Sequence, residues 1–414
     1  MSVEKIQKLK NTCRSVKNRK RITIRELAQV IGQLVASFPA VLWGQLFYRQ
    51  LDKVKVEALK VKKGDFDALV VISKEAEEEL DWWLQNIDSA FSPIERSEPE
   101  MVITTDASTL GWGAVCHPKQ TGGRWSVLER NNNINVLELM AIEHALKSFS
   151  KDIDGKHIKV LTDNSCAVSY IEKMGGSHSA DCNDVAKRIW IWCKDRNIWL
   201  TVAHIPGKLN TQADAQSRKF NDNTEWMLDR QIFKRICEQV GKPEIDLFAS
   251  RLNRQLATFV SWQPDPESFA VDAFKMSWTN WFFYAFPPFS LIQRVLVKLE
   301  KDNAEGVVIV PDWPTATWYP QLLRLLVRKP LLLPKGRTVL RLAHAQTPHP
   351  LHSKLQLMAV MLSGMQLKHK EFMDKLAASS VHHGGKRHTD SIPATCHGGK
   401  FSVLNGTVIH FMHL

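Results

Sequence analysis

The sequence predicts an α/β protein, a mixed sheet with helices on its faces, preceded by a helical module and followed by a second α/β unit. Three observations predict it. Residues 101–116 read as a β-hairpin: Val102 to Thr105 have strand composition, Ser108 to Gly111 has turn composition, and Trp112 to Cys116 resumes a strand. From there to Arg218 the pattern runs strand, helix, strand, helix, helix, strand, helix, as a layered α/β domain requires. Before residue 95, by contrast, apolar residues recur at steps of three and four.

In chain order, residues 1–22 carry Lys5, Lys8, Lys10, Arg14, Lys17, Arg19, Lys20 and Arg21 against Glu4 alone. Such a run suits phosphate contact, a nuclear address or a solvated helix face. Leu27, Val30, Ile31, Leu34 and Val35 mark one helix face, and Trp43, Leu46, Phe47 and Leu51 continue it after Pro39. Ser73 to Ile87 begins with a capping serine and an acidic first turn, so it is a further helix. Ser89 to Glu100, with Pro93 and Pro99, reads as a linker. Past the hairpin, Gly122-Gly123 is expected to turn the chain into a strand over Arg124 to Leu128. A helix follows over Asn135 to Phe149, capped by Asn135 and carrying Glu138 in its first turn. His157 to Asp163 is a strand ending in an aspartate, with helices over Ser165 to Lys173 and Asp184 to Arg196. The strand Trp199 to Ile205 then breaks at Pro206-Gly207 before a last helix, Asn210 to Arg218, that carries Asp214. The domains are therefore drawn at 1–95, 99–220, 226–345 and a C-terminal extension at 346–414, largely disordered after 378.

A net charge of +12 and a pI near 9.3 favour a polyanionic partner, of which nucleic acid is the usual one. Seven cysteines without a CxxC pair imply reduced thiols, hence a cytoplasmic or nuclear protein. No apolar run long enough to span a membrane occurs.

Asp106, Glu138, Asp163 and Asp214 all stand at element ends. Hard divalent cations such as Mg2+, with Mn2+ as an alternative, take oxygen ligands. Two such ions roughly 4 Å apart can activate a water and stabilise the leaving oxygen of a phosphodiester. No His/Cys spacing accompanies these acids and no Ser/His nucleophile arrangement is apparent, so hydrolysis by metal-activated water is the economical chemistry.

TTDAS, NVLELMAIEHAL, LTDNS and HIPGKLNTQADAQSR resemble the motifs of a retroelement ribonuclease H domain. The resemblance implies cleavage of the RNA strand of an RNA/DNA hybrid with two Mg2+ ions held by Asp106, Glu138, Asp163 and Asp214. It also implies a product-release role for His204, whose alternative role is a strand-end hydrogen bond. The upstream helices resemble the thumb and connection of a reverse transcriptase, without a YxDD polymerase motif, so a palm acting in trans is an expected partner. EIDLFASRLNRQ, YAFPPFSLI and VVIVPDWPTATWYPQL resemble the region of DIRS-like, tyrosine recombinase retrotransposon polyproteins that is similar to DNA adenine methyltransferases. There Phe286 stands where that family has a polar acceptor, and no glycine-rich turn for S-adenosylmethionine is present, so a fold kept for structure or nucleic-acid contact is expected. Trp262, Trp278, Trp281 and Trp313 are candidates to stack on bases, with core packing the alternative. His382, His383, His388, Cys396 and His397 match no zinc-module spacing. Two other classes compete with the nuclease: a catalytically inactive nucleic-acid-binding remnant, and a DDE-type transposase, whose last acid is usually a distant Glu rather than a local Asp214.

Overall fold

The computed structural model describes residues 1–19, 21–222, 225–381 and 400–414. It divides into two compact units, the first comprising residues 1–119, 132–146 and 150–218, the second 120–131, 147–149 and 219–414. Among the described residues no helix is long and apolar enough to cross a membrane.

The first unit opens with four helices: α1 (Val3–Arg19), α2 (Ile24–Ser37), α3 (Arg49–Val61) and α4 (Lys74–Asn86). The basic residues from Lys5 to Arg19 lie on α1. Leu9, Cys13 and Val16 are buried while Lys5, Lys8 and Arg14 face solvent, and Lys10 and Lys17 pair with Asp88 and Asp81. Thr23 and Glu26 form a reciprocal capping box at the start of α2, and Ser73 caps α4 as its sequence requires. Glu79 reaches from α4 to accept hydrogen bonds from the Gln50 and Leu51 N–H groups at 3.0 and 3.1 Å, satisfying the first turn of α3. Burial pushes its carboxyl up to about 7.

A five-stranded mixed sheet follows, built from β1 (Met101–Ala107), β2 (Gly111–Cys116), β3 (Lys119–Arg124), β4 (His157–Thr162) and β5 (Trp199–His204), in the order β3-β2-β1-β4-β5. β1 runs antiparallel to β2 and parallel to β4, which runs parallel to β5. The expected strand over 124–128 lies earlier: Pro118 ends the β2 ladder, the chain turns there, and Gly122-Gly123 fall inside β3. The helices are α5 (Ile134–Ser148), α6 (Ser165–Glu172), α7 (Ala180–Asp195) and α8 (Thr211–Arg218). Every residue of α5 from Val136 to Leu146 is buried, so it is a central helix rather than a one-faced surface helix. Its cap is Asn133, whose Oδ1 accepts from the Val136 N–H at 3.1 Å, not Asn135. Within this unit the helical module packs on the sheet domain through Trp43, whose ring centroid lies 5.9 Å from those of Trp190 and Trp199. Arg49 donates to the carbonyls of Lys173 and Gly175 at 3.2 and 3.4 Å.

The second unit contains α9 (Arg230–Val240), β6 (Ile245–Asp246), β7 (Val260–Ser261), β8 (Ala270–Val271), β9 (Phe282–Ala285), α10 (Ile292–Lys301), β10 (Glu305–Pro311), α11 (Tyr319–Leu325), β11 (Leu331–Leu332), β12 (Leu357–Ser363), α12 (Gln366–Val381), β13 (Phe401–Leu404), β14 (Thr407–His410) and β15 (Met412–His413). Its six-stranded sheet has the order β15-β11-β12-β10-β9-β6. Residues 357–363 are thus not part of an appendage, because β12 pairs with β10 over seven residues and is wholly buried. LMAVMLS is buried on both faces, so it shows no alternation, and its Leu, Met and Ala favour strands weakly. Residues 400–414 form strands, contrary to the disorder expected there. The expectations for 382–399, including the His/Cys set, fall outside the described residues. Cys13, Cys116, Cys166, Cys182, Cys193 and Cys237 are free thiols.

Candidate metal centre

β1 and β4 are adjacent and parallel, so their carboxyl ends lie side by side and deliver Asp106 and Asp163 to one edge of the sheet. α5 crosses near that edge and adds Glu138 from its first turns. One ligand atom from each of Asp106, Glu138 and Asp163 lies within 4.8 Å of the other two. Asp106 and Glu138 are buried at 4% and 5% exposure, and Asp163 is half-buried.

The electrostatics follow from this crowding. Burial pushes Glu138 up to about 8, and the neighbouring charges of Asp106 and Asp163 add to the rise. Hydrogen bonds from the Ala107 N–H and the Thr162 hydroxyl oppose it. Burial likewise raises Asp106 to about 6, opposed by a hydrogen bond from Ser217 and reinforced by Asp163 and Asp214. Ionised carboxylates this close would repel one another, which is part of why Glu138 and Asp106 hold their protons to higher pH. A hard cation relieves that repulsion, and one buried oxygen of Glu138, Oε2, has no hydrogen-bond partner in the protein. The donor set, oxygen atoms from carboxylates alone, suits Mg2+ or Mn2+ rather than zinc.

Asp214 stands beside this group rather than in it. Its Oδ1 accepts from Arg218 Nε at 2.6 Å, an ion pair four residues apart along α8, although its charge still raises Asp106. His204 is exposed, and its Nε2 lies 3.0 Å from the Asp163 carbonyl oxygen, a strand-end hydrogen bond. The structure therefore brings together three of the five residues singled out by sequence and keeps the other two at the rim.

Sequence reasoning missed the residues that carry this arrangement. Ser217 is fully buried and its hydroxyl lies 2.6 Å from Asp106 Oδ2. Asn210 ties the start of α8 to the Thr105 carbonyl at 2.9 Å. Gly113 lets α8 lie against β2: a Cβ there would sit 2.2 Å from the Ala213 carbonyl oxygen and 2.6 Å from the Ser217 nitrogen. Gly207 allows a similar approach, since a Cβ would fall 2.9 Å from Asp163 Oδ2. Helical spacing was the available signal, because Asp214, Ser217 and Arg218 stand at i, i+3 and i+4.

The second unit has its own concavity, about 510 Å³, lined among others by Phe248, Trp262, Asp272, Phe286, Phe289 and Arg294. It lies where the carboxyl ends of β6, β7, β8 and β9 meet, the usual place for a ligand in such sheets. Trp262 and Trp313 are exposed, whereas Trp278 is fully buried and Trp281 packs on the core, so those two serve packing.

Residues 96–179 match the family model of the RNase H-like domain found in reverse transcriptase, a span that includes Asp106, Glu138 and Asp163 and stops before Asp214. Over 146 residues the chain is 27% identical to the enzymatic polyprotein of Cauliflower mosaic virus (strain CM-1841), which covers 32% of this chain. The match spans about a fifth, 21%, of that polyprotein's length. Among solved structures, RNase H1 from the archaeon Halobacterium salinarum NRC-1 is similar at 20% identity and a TM-score of 0.23, over 28% of this chain and 92% of that one. The foamy viral protease-reverse transcriptase in complex with an RNA/DNA hybrid is similar at 14% identity and a TM-score of 0.21, over 55% of this chain and 31% of that one.

Proposed function

We propose that this chain is a ribonuclease H-type endonuclease that hydrolyses the RNA strand of an RNA/DNA hybrid. The observation that carries the reading is the convergence of Asp106, Glu138 and Asp163 on one point at the ends of two parallel strands and a central helix. Asp106, Glu138, Asp163 and, from the rim, Asp214 would hold two Mg2+ ions, Mn2+ substituting. Bound there, two divalent ions supply Lewis-acid stabilisation of the attacking and leaving oxygens of a phosphodiester. The protein's part is to hold carboxylates that repel one another at fixed positions, with Asp106 and Glu138 shielded from water. Arg218 pairs with Asp214 at the rim of the group. His204, exposed beside Asp163, would aid product release in this reading. The basic charge of +12 supplies phosphate contacts, and a hybrid is read by shape and 2′-hydroxyls rather than by sequence.

The wider reading is a DIRS-like retrotransposon pol protein acting in cytoplasm or nucleus, with a reverse-transcriptase thumb and connection ahead of the nuclease and a palm supplied in trans. Its second unit is a methyltransferase-like fold that contacts nucleic acid. The cavity at the carboxyl ends of β6 to β9, walled by aromatic rings, supports that last part.

The test incubates the purified chain with labelled RNA/DNA hybrid and Mg2+, beside Asp106→Asn and Glu138→Gln. Cleavage is expected to fall on the order of a thousandfold in each variant while hybrid binding persists. RNA left intact by wild type and variants alike, with binding retained, would establish the inactive remnant instead.

A further inference from the structure

Ser217 of α8 reaches into the carboxylate group. Its Oγ lies 2.6 Å from Asp106 Oδ2 and 2.9 Å from the Asp214 carbonyl oxygen, and its side chain is fully buried. A helical serine ordinarily satisfies itself on a carbonyl one turn back, which is the bland reading of the second contact. One hydroxyl proton cannot serve both acceptors fully. At 2.6 Å the contact with the carboxylate has the length of a charge-assisted bond, the stronger of the two.

The surroundings fix where that hydroxyl sits. Ser108, in the turn between β1 and β2, donates to the Ser217 carbonyl oxygen at 2.6 Å and accepts from the Leu110 and Gly111 N–H groups at 3.1 and 3.2 Å. Gly113 lets the α8 backbone approach β2, as described above. Ser217 is therefore held from its backbone, and its hydroxyl has little freedom to leave Asp106. A carboxylate gripped through one oxygen cannot rotate away when its negative neighbours repel it.

We propose that Ser217 is a positioning residue for the metal centre, its hydroxyl fixing the Asp106 carboxylate in the orientation that capture of a divalent cation requires. This rests on the reading of Asp106, Glu138 and Asp163 as that centre. Partners that orient metal ligands from outside the coordination sphere typically govern affinity by about 10-fold to 100-fold.

The experiment measures Mn2+ binding to the full chain by isothermal titration calorimetry at constant pH, without nucleic acid. Ser217→Ala is expected to weaken Mn2+ binding about tenfold. Ser217→Cys keeps the bulk and a weak donor, and is expected to fall between wild type and Ser217→Ala. Ser108→Ala removes the backbone anchor of Ser217 without touching the carboxylate, and should weaken Mn2+ binding clearly less than Ser217→Ala does. Circular dichroism establishes that each variant is folded. Wild-type affinity in Ser217→Ala, or an equal loss in Ser108→Ala, would overturn the proposal, the latter showing that Ser217 acts only through helix placement. Absence of Mn2+ binding in wild type itself would instead remove the metal-centre reading on which the proposal stands.

Discussion

Both units put acids at the carboxyl ends of their strands, yet among the described residues only one set forms a centre. In the first, Asp106 and Asp163 end neighbouring parallel strands, and with Glu138 from α5 they share a point. In the second, Asp246 ends β6 and Asp312 follows β10, and each is occupied by the protein. Asp246 accepts the Phe248 and Gln255 N–H groups at 3.4 and 3.0 Å, and Asp312 pairs with Lys400 and receives the Tyr319 hydroxyl at 3.4 Å. A strand-end acid is thus something a parallel sheet produces readily. What separates the candidate metal site from these structural carboxylates is that its three acids crowd one point, whereas backbone amides, a hydroxyl and a lysine take up Asp246 and Asp312 singly.

That contrast can be broken most severely at Gly113. Adding a Cβ in Gly113→Ala forces the Ala213 carbonyl and the Ser217 N–H away from β2, and both are backbone atoms that cannot swing aside. Overpacking of this kind costs about 1–3 kcal/mol in stability. Because α8 also places Ser217 and Asp214, hybrid cleavage should fall more than the loss of folded protein explains. Urea denaturation and a cleavage assay on the same preparation check this, and unchanged values in both would show that α8 need not lie so close.

Asp246 gives the converse, a change in stability without a change in cleavage. Burial raises its carboxyl from 3.8 to about 7, so between these values the folded state holds a proton that the unfolded state has lost. The stability this confers is fully present below about pH 4 and is lost as pH rises through 7. Asp246→Asn cannot ionise and lacks that loss. Its stability relative to wild type should therefore climb by at least about 1 kcal/mol between pH 5 and pH 8, read by urea denaturation at the two values. A pH-independent difference would mean that the two amide hydrogen bonds, not burial, dominate this carboxyl.

Much of the first unit was legible in the sequence because its signals are local. β-branched residues, capping Ser73 and the strands ending in Asp106 and Asp163 each declare themselves within a few positions. The convergence of Asp106, Glu138 and Asp163 was legible only through motif resemblance, since 57 residues separate Asp106 from Asp163 and only strand pairing brings them together. Gly113 was not legible, because its importance lies in a contact between α8 and β2, and Ser217 left only the weak signal of its helical spacing from Asp214. Asp214 followed the motif but not the expected convergence, for Arg218 one turn later claims its carboxylate. In the second unit β12 was hidden by burial on both faces, which erases alternation.

The smallest effect bears on whether the second unit contacts nucleic acid. Trp262 lines its cavity and yet is 64% exposed, so most of its ring stays open to a ligand. A ring that waits at the carboxyl ends of parallel strands has the geometry of a stacking platform, and one stacked base is worth about 1–3 kcal/mol. Trp262→Ala should weaken binding of a short single-stranded oligonucleotide by about fivefold to tenfold in a fluorescence-anisotropy titration. Its melting temperature, Mn2+ affinity and hybrid cleavage should match wild type, because the ring is largely exposed and is not among the carboxylate ligands. Equal oligonucleotide affinity in the variant would make the aromatic wall a packing feature. The two units would then differ not only in how they use strand-end acids but in whether they meet the substrate at all.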